Sequence, residues 1–226
     1  MCGRFAQRSD PKRLAKEFKV AEAPQVEARY NIAPTQEILA VRELADGREM
    51  TFLKWGLVPS WAKDTSMGAR LINARSETVG EKPSFRNAFR QRRCIIPADG
   101  FYEWQRTEGR KQPFFFFLMR DERPFGFAGL WERWKGEGGQ SIDSCTILTT
   151  EANEVLRPVH DRMPVILHPD EYEMWLDTDV RKLDLIKEML RPYPAREMIG
   201  YPVSTSVNSL RNHGAELVER VAVNSA

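Results

Sequence analysis

Cysteine and histidine are both scarce in this chain of 226 residues, three of each: Cys2, Cys94 and Cys145, with His160, His168 and His213. The cysteines are odd in number, widely spaced and free of any C-x-x-C pair, which argues against a zinc ribbon and an extracellular disulfide framework. A metal centre could arise only by long-range assembly, so no metal and no cofactor is expected. Charge of one sign is lacking too: 34 Lys and Arg face 32 Asp and Glu, and a net charge of +2 does not by itself call for an anionic partner. Nucleic-acid binding would have to rest on local basic clusters. The longest apolar run, Pro113–Met119, is far shorter than the roughly 20 residues of a membrane-crossing helix. The first residues are polar and charged, so neither a transmembrane helix nor a secretory leader is expected, and the cytoplasm is the expected compartment. Repeats and low-complexity linkers are absent. What remains, 42% hydrophobic and 29% charged residues, suits a globular protein. A single domain over 1–226 is expected, its last residues, from about 219, fraying.

The pattern is mostly strand. Ile38–Val41, Met50–Leu57, Cys94–Ala98, Pro113–Met119, Phe125–Trp134, Cys145–Thr149 and Pro164–Leu167 are short, rich in β-branched or aromatic residues and bounded by Gly, Pro or charged turns. The polar, Gly-rich Gly136–Ser141 segment suits a hairpin loop. Helix is indicated at Ser9–Val20, where Asp10 can cap, Pro11 suits the first turn and Leu14 and Phe18 share a face. It is indicated again at Asp170–Leu176 and at Val180–Leu190, where Val180, Leu183, Ile186 and Leu190 recur on one face. The fold class is therefore α+β, a mainly antiparallel, barrel-like β core flanked by short helices.

Loss of the initiator Met1 would leave a chain beginning Cys-Gly-Arg-Phe, with an amine and a thiol on neighbouring carbons of Cys2. Reference pKa values of about 7.7 to 8.0 and about 8.5 put both partly in reactive form near neutral pH. An amine condenses with an aldehyde to a Schiff base, and an adjacent thiol closes on the imine to give a five-membered thiazolidine. An internal cysteine has no such route. Three explanations of Cys2 stand at this point: an accident of start-codon context, this aldehyde chemistry, or an N-terminal-nucleophile amidohydrolase in which the thiol attacks an amide and the amine serves as base.

Other segments carry polar groups in useful spacing. Tyr30-Asn31-Ile32-Ala33-Pro34 is a polar turn, on its own a plain loop. Asn73 and Arg75 lie two apart, so an extended chain points both the same way and offers an amide and a guanidinium fork to one ligand, phosphate being the best match. An ordinary surface strand would show the same pattern. From Lys82 to Arg93 the chain has Lys82, Arg86, Arg90, Arg92 and Arg93 and no acid, with Phe85 and Phe89 between. That suits either a surface that tracks phosphates and stacks on bases or a short helix with a buried Phe face and a solvated Arg face. Asp99 and Glu103 stand among aromatics, and Glu103 between Tyr102 and Trp104 is a candidate for a raised pKa and proton transfer, an exposed strand position being the alternative. His160-Asp161-Arg162 joins an imidazole that can shuttle protons to a guanidinium that can hold an anion, although a lone His is usually structural.

No one of these segments is specific, but their order is. MCGRF at Met1, YNIAP at Tyr30, WGLVPSWA at Trp55, INARSET at Ile72, RCIIPADGFYEW at Arg93, HDRMPVIL at His160 and VNSLRNHGAEL at Val207 together resemble the SOS-response-associated peptidase (SRAP) family, the abasic-site processing proteins. The resemblance runs from Met1 to about Leu217. It implies a single SRAP domain that binds single-stranded DNA carrying abasic sites, including single-strand to duplex junctions, in a positively charged cleft. It also implies that the processed Cys2 captures the ring-opened abasic deoxyribose as a thiazolidine DNA–protein crosslink, with lyase-like behaviour through the Schiff base, shielding the lesion during the DNA-damage response.

By the same resemblance Cys2 supplies amine and thiol, and Asn73 orients the N-terminus or the sugar. Glu103 is the acid/base of Schiff-base formation and reversal, and His160 promotes ring opening and proton transfer. Arg4, Arg75 and Arg162 are implied as phosphate or backbone ligands, with Pro34, Trp61 and Thr149 along the DNA channel and Trp61 as a stacking wedge. A monomer is expected, off the membrane and nucleoid-associated when on DNA. The family's peptidase label corresponds to proposed self-removal of Met1 and requires no general proteolysis. Two other functions remain on the table: an N-terminal-cysteine amidohydrolase or peptidase, and a non-catalytic single-stranded DNA-binding module built on Lys82 to Arg93.

Overall fold

Along β6 (Arg93–Ala98), Cys94, Ile96 and Ala98 enter one hydrophobic cluster and Ile95 another, the period of two that a strand imposes on its side chains. The same alternation runs through β3 (Glu37–Leu44), with Ile38 and Ala40 set against Leu39 and Val41, and through β9 (Phe125–Lys135), with Phe127 and Trp131 set against Ala128 and Leu130. Both faces are covered, which is why these strands are legible as near-continuous apolar runs. They close a ring with β4 (Gly47–Trp55) and β10 (Ser141–Glu151): β10 pairs with β4, β4 with β3, β3 with β6, β6 with β9, and β9 with β10 again. Only the β10–β4 pairing in that ring is parallel. Three short strands extend it: β5 (Asn73–Arg75) runs parallel to β10, β11 (Arg162–Pro164) antiparallel to β10, and β12 (Ile166–Leu167) antiparallel to β9.

A second, antiparallel sheet has the order β13 (Met198–Val203), β8 (Phe114–Met119), β7 (Gly100–Trp104), β1 (Phe5–Gln7) and β2 (Arg29–Ile32). Its Phe5, Phe101 and Phe117 share a cluster with Ile38, Trp55, Ile96 and Phe127 of the barrel, so the two sheets bury one common core. The opposite side of the barrel is covered by α1 (Pro11–Phe18), α2 (Arg86–Gln91), α3 (Tyr172–Leu176) and α4 (Leu183–Glu188). In α1, Asp10 accepts from the amides of Lys12 and Arg13, both at 3.0 Å, Leu14 and Phe18 are buried, and Lys19 ends the helix in the left-handed region. This computed structural model describes residues 2–105, 114–178 and 183–222.

The expected α+β class and barrel-like core are found, with differences of detail. The single strand expected at Pro164–Leu167 is two, because Val165 crosses between partners: its N–H donates to Leu148 O at 2.8 Å and its carbonyl accepts from Ala128 at 2.9 Å. The third helix opens as a 3₁₀ turn, Pro169–Glu171, before α3. In the fourth, Ile186 is buried and Leu183 and Leu190 pack against the core, whereas Val180 lies outside the described residues, as does Pro113. Residues from 219 do not fray at once: Arg220 bridges Val203 and the Val221 amide donates to Pro202 O at 3.0 Å, while 223–226 lie outside the described residues. The hairpin loop at Gly136–Ser141 is present, closed by Gly136 N–H donating to Gln140 O at 2.9 Å.

Candidate active site

Phe5 fixes the start of the chain. It is fully buried, pairs with Ile32 and Phe101, and meets Trp55 and Phe127 edge-on at 5.3 and 5.8 Å. Burying such a ring is worth roughly 1.5–3 kcal/mol. The β1–β7 pairing continues backwards through Tyr102 N–H, which donates to Arg4 O at 2.9 Å. Cys2 stands two residues before Arg4, and its thiol feels the charge of Glu103 in β7. Cys2 has no exposed surface, and its Sγ lies 3.9 Å from Arg4 O.

Asn73 comes to Cys2 from the barrel. β5 is pinned by Ile147 N–H and Trp55 Nε1–H, which both donate to Ile72 O, at 3.1 and 2.9 Å. From there Asn73 Nδ2 donates to Cys2 O at 2.8 Å, while its Oδ1 is buried with no hydrogen-bond partner among the described residues. Ala74 turns into the core, and Arg75 is exposed and carries no ion pair among the described residues.

Glu103 is 1% exposed, and burial pushes its carboxyl up to about 7. Burial first, and the charge of Glu103 second, drive the Cys2 thiol well above the usual thiol range. The charge of Asp161, beside His160, also raises the Glu103 carboxyl. The turn carrying His160 is shaped by Asn153, whose Oδ1 accepts from the amides of Val155 and Leu156 at 3.2 and 3.1 Å, and is closed by His160 N–H donating to Leu156 O at 3.0 Å. His160 Nδ1 accepts the Arg162 amide at 2.9 Å, and Asp161 Oδ1 stands 2.9 Å from the same nitrogen. Both contacts fall on Nδ1 and fix the plane of the ring.

The remaining expected residues divide. Trp61 is 56% exposed, in a loop held by Gly56 (φ +129°), whose absent Cβ would stand 2.6 Å from Gly68 O. Pro34 is half-buried in a tight turn in which Thr35 has φ +72° and donates its amide to Trp55 O at 2.8 Å. Arg162 points Nη1 and Nη2 at the two oxygens of Glu77, and Nη2 also donates to Thr149 O at 2.6 Å.

Three other groups are placed as follows. Thr149 is fully buried, its hydroxyl directed at Ala74 O, so it supports Arg162 from behind and does not line a channel. Arg4 is half-buried and donates from Nη1 to Asn31 Oδ1 at 2.6 Å and Val207 O at 2.8 Å. The Lys82 to Arg93 stretch is the helix-packing alternative: Phe85 and Phe89 are buried, Arg92 pairs with Glu132 at 2.7 Å, and Arg93 is buried with its guanidinium on the carbonyls of Trp175, Phe89, Arg90 and Asp177. Asn31 was not expected to matter. Its Nδ2 gathers the carbonyls of Val207, Ser209 and Asn212 at 3.2, 3.0 and 2.9 Å, and its one legible sign was an amide set between Tyr30 and Ile32 in a strand-like run. Among the described residues no three His, Cys, Asp or Glu side chains gather where a metal could sit, and no helix is long and apolar enough to cross a membrane.

The chain matches the family model described as SOS response associated peptidase (SRAP) over residues 1–210. It is 41% identical to the abasic site processing protein YoaM of Bacillus subtilis over 97% of this chain and 98% of that one. It is 31% identical to the abasic site processing protein YedK of Escherichia coli over 98% of this chain and 100% of that one. A crystal structure of a protein from Bacteroides thetaiotaomicron superimposes with a TM-score of 0.86 at 25% identity, covering 98% of this chain and 100% of that one.

Proposed function

Because the chain belongs to the SRAP family, we propose that it processes abasic sites in DNA, and that it does so by trapping the lesion's aldehyde on Cys2 as a thiazolidine. The observation that carries this is a buried Cys2 whose thiol feels the charge of a buried Glu103, itself pushed up to about 7. Once Met1 is removed, the Cys2 amine adds to the aldehyde carbon to give a carbinolamine. Glu103 in its acid form protonates the departing hydroxyl, water leaves, and the resulting carboxylate takes the thiol proton as Sγ closes on the iminium carbon. One carbon–nitrogen bond and one carbon–sulfur bond form, one water is released, and Glu103 returns to its acid form. Reversal follows the same steps backwards.

Asn73 holds Cys2 O, and its spare Oδ1 suits an amine or hydroxyl donor. His160, its ring held at Nδ1 beside Asp161, takes the C1′ hydroxyl proton of the closed sugar on Nε2 as a water protonates the ring oxygen, and then returns that proton to the hydroxide left behind, which opens the hemiacetal to the aldehyde. Arg75 and Arg162 are proposed as phosphate contacts on single-stranded DNA, and exposed Trp61 as the base-stacking platform.

Intact-protein mass spectrometry, before and after incubation with a single-stranded oligonucleotide carrying one abasic site, tests this. The expected result is loss of Met1 and a one-to-one adduct that Cys2→Ala abolishes. Loss of Met1 without an adduct would overturn it and turn attention to amide substrates.

A further inference from the structure

The Arg162–Glu77 pair at the rim of the site is a guanidinium fork seated on both oxygens of a carboxylate, with Nη2 to Oε2 at 3.0 Å. A phosphate takes the same two-pronged geometry. The Arg162 side chain is 16% exposed and backed by Thr149, whereas that of Glu77 is 52% exposed and follows β5 by two residues. The cation is therefore fixed and the anion is the removable member. We propose that Glu77 occupies the phosphate seat on Arg162 and, by competing for it, sets how tightly the protein holds undamaged DNA. This rests on the DNA-binding function proposed above.

Two further observations fit. The Arg162 hydrogen bond holds the Glu77 carboxyl below its usual range, so at neutral pH a proton does not vacate the seat and an incoming anion must. Arg75, exposed and without an ion pair among the described residues, stands two positions from Glu77, whose carboxyl feels its charge, and keeps its guanidinium open to the strand. A backbone phosphate held at Arg75 is thereby delivered next to the occupied seat. The arrangement restrains binding along intact strands and leaves the covalent step to retain the lesion.

The test is fluorescence anisotropy at low salt with a short undamaged single-stranded oligonucleotide, which removes the crosslinking chemistry from the measurement. Glu77→Gln is expected to bind about two- to fivefold more tightly than wild type, the range of an exposed ion pair. Glu81→Gln, which removes the same charge four residues on, is expected to gain less. In an Arg162→Gln background, Glu77→Gln is expected to gain nothing. Equal or weaker binding by Glu77→Gln, or an equal gain from Glu81→Gln, would overturn the proposal, and Glu77→Gln alone decides it should Arg162→Gln fail to fold. Wild-type protein that does not bind the oligonucleotide at all would instead overturn the DNA-binding function, and this inference with it.

Discussion

Asn73 Nδ2 donates to Cys2 O at 2.8 Å, so a barrel strand holds the residue that leads into the other sheet. Replacing Asn73 by Ala removes that hold without opening the core, because Asn73 is only half-buried. Single-turnover crosslinking should slow by about five- to tenfold, the worth of one hydrogen bond, while affinity for undamaged DNA stays within twofold or so of wild type. Equal losses in both would make Asn73 a fold residue.

Glu103 gives the site a pH signature. Its carboxyl ordinarily titrates at 4.5 and in the folded protein at about 7. Between those values the folded chain holds a proton that the unfolded chain has lost. The stabilisation from this group is full below the lower value and is lost as pH rises through the upper one, by at most about 3 kcal/mol. Denaturant midpoints measured at about pH 5 and about pH 8 should therefore differ more in wild type than in Glu103→Gln. The same substitution should slow capture far more than it weakens binding.

Cys2→Ser keeps the amine and removes the sulfur. It should form an imine that borohydride reduction fixes as an adduct and that is lost on heating without reductant. The wild-type adduct should survive heating without reductant.

Two arginines drawn from neighbouring motifs should behave oppositely. Arg93→Ala strips four carbonyls of their donor and should cost about 3 kcal/mol or more in a denaturant melt. Arg75→Ala should leave the melt alone and flatten the log–log salt dependence of DNA binding by roughly 0.7, one single-strand phosphate contact.

Hydrophobic periodicity made the barrel legible, because β3, β6, β9 and β10 are covered on both faces and show it as apolar runs. It did not reveal β13, where Gly200 and Pro202 interrupt a strand that tolerates proline at the edge of its sheet, nor β1, which is only three residues long. Glu103 could be singled out from its aromatic neighbours, but its burial depends on β7 pairing with β1 and β8. Arg93 and the exposed Arg75 look alike in one dimension. What separates them is whether helix C-termini supply carbonyls nearby, and sequence spacing does not carry that. Glu77 was visible only as one letter of a motif, since its partner lies 85 positions away.

The burial of Cys2 also governs what the nucleophile ignores. Peroxides and alkylating electrophiles consume thiolate, not thiol. With its thiol driven well above the usual range and no surface open to solvent while Met1 precedes it, Cys2 is expected to react slowly with such agents, which timed alkylation before and after Met1 loss checks. On the proposed function, an aldehyde tethered to a bound strand would be carried to Cys2, whereas a free electrophile would have no such guide.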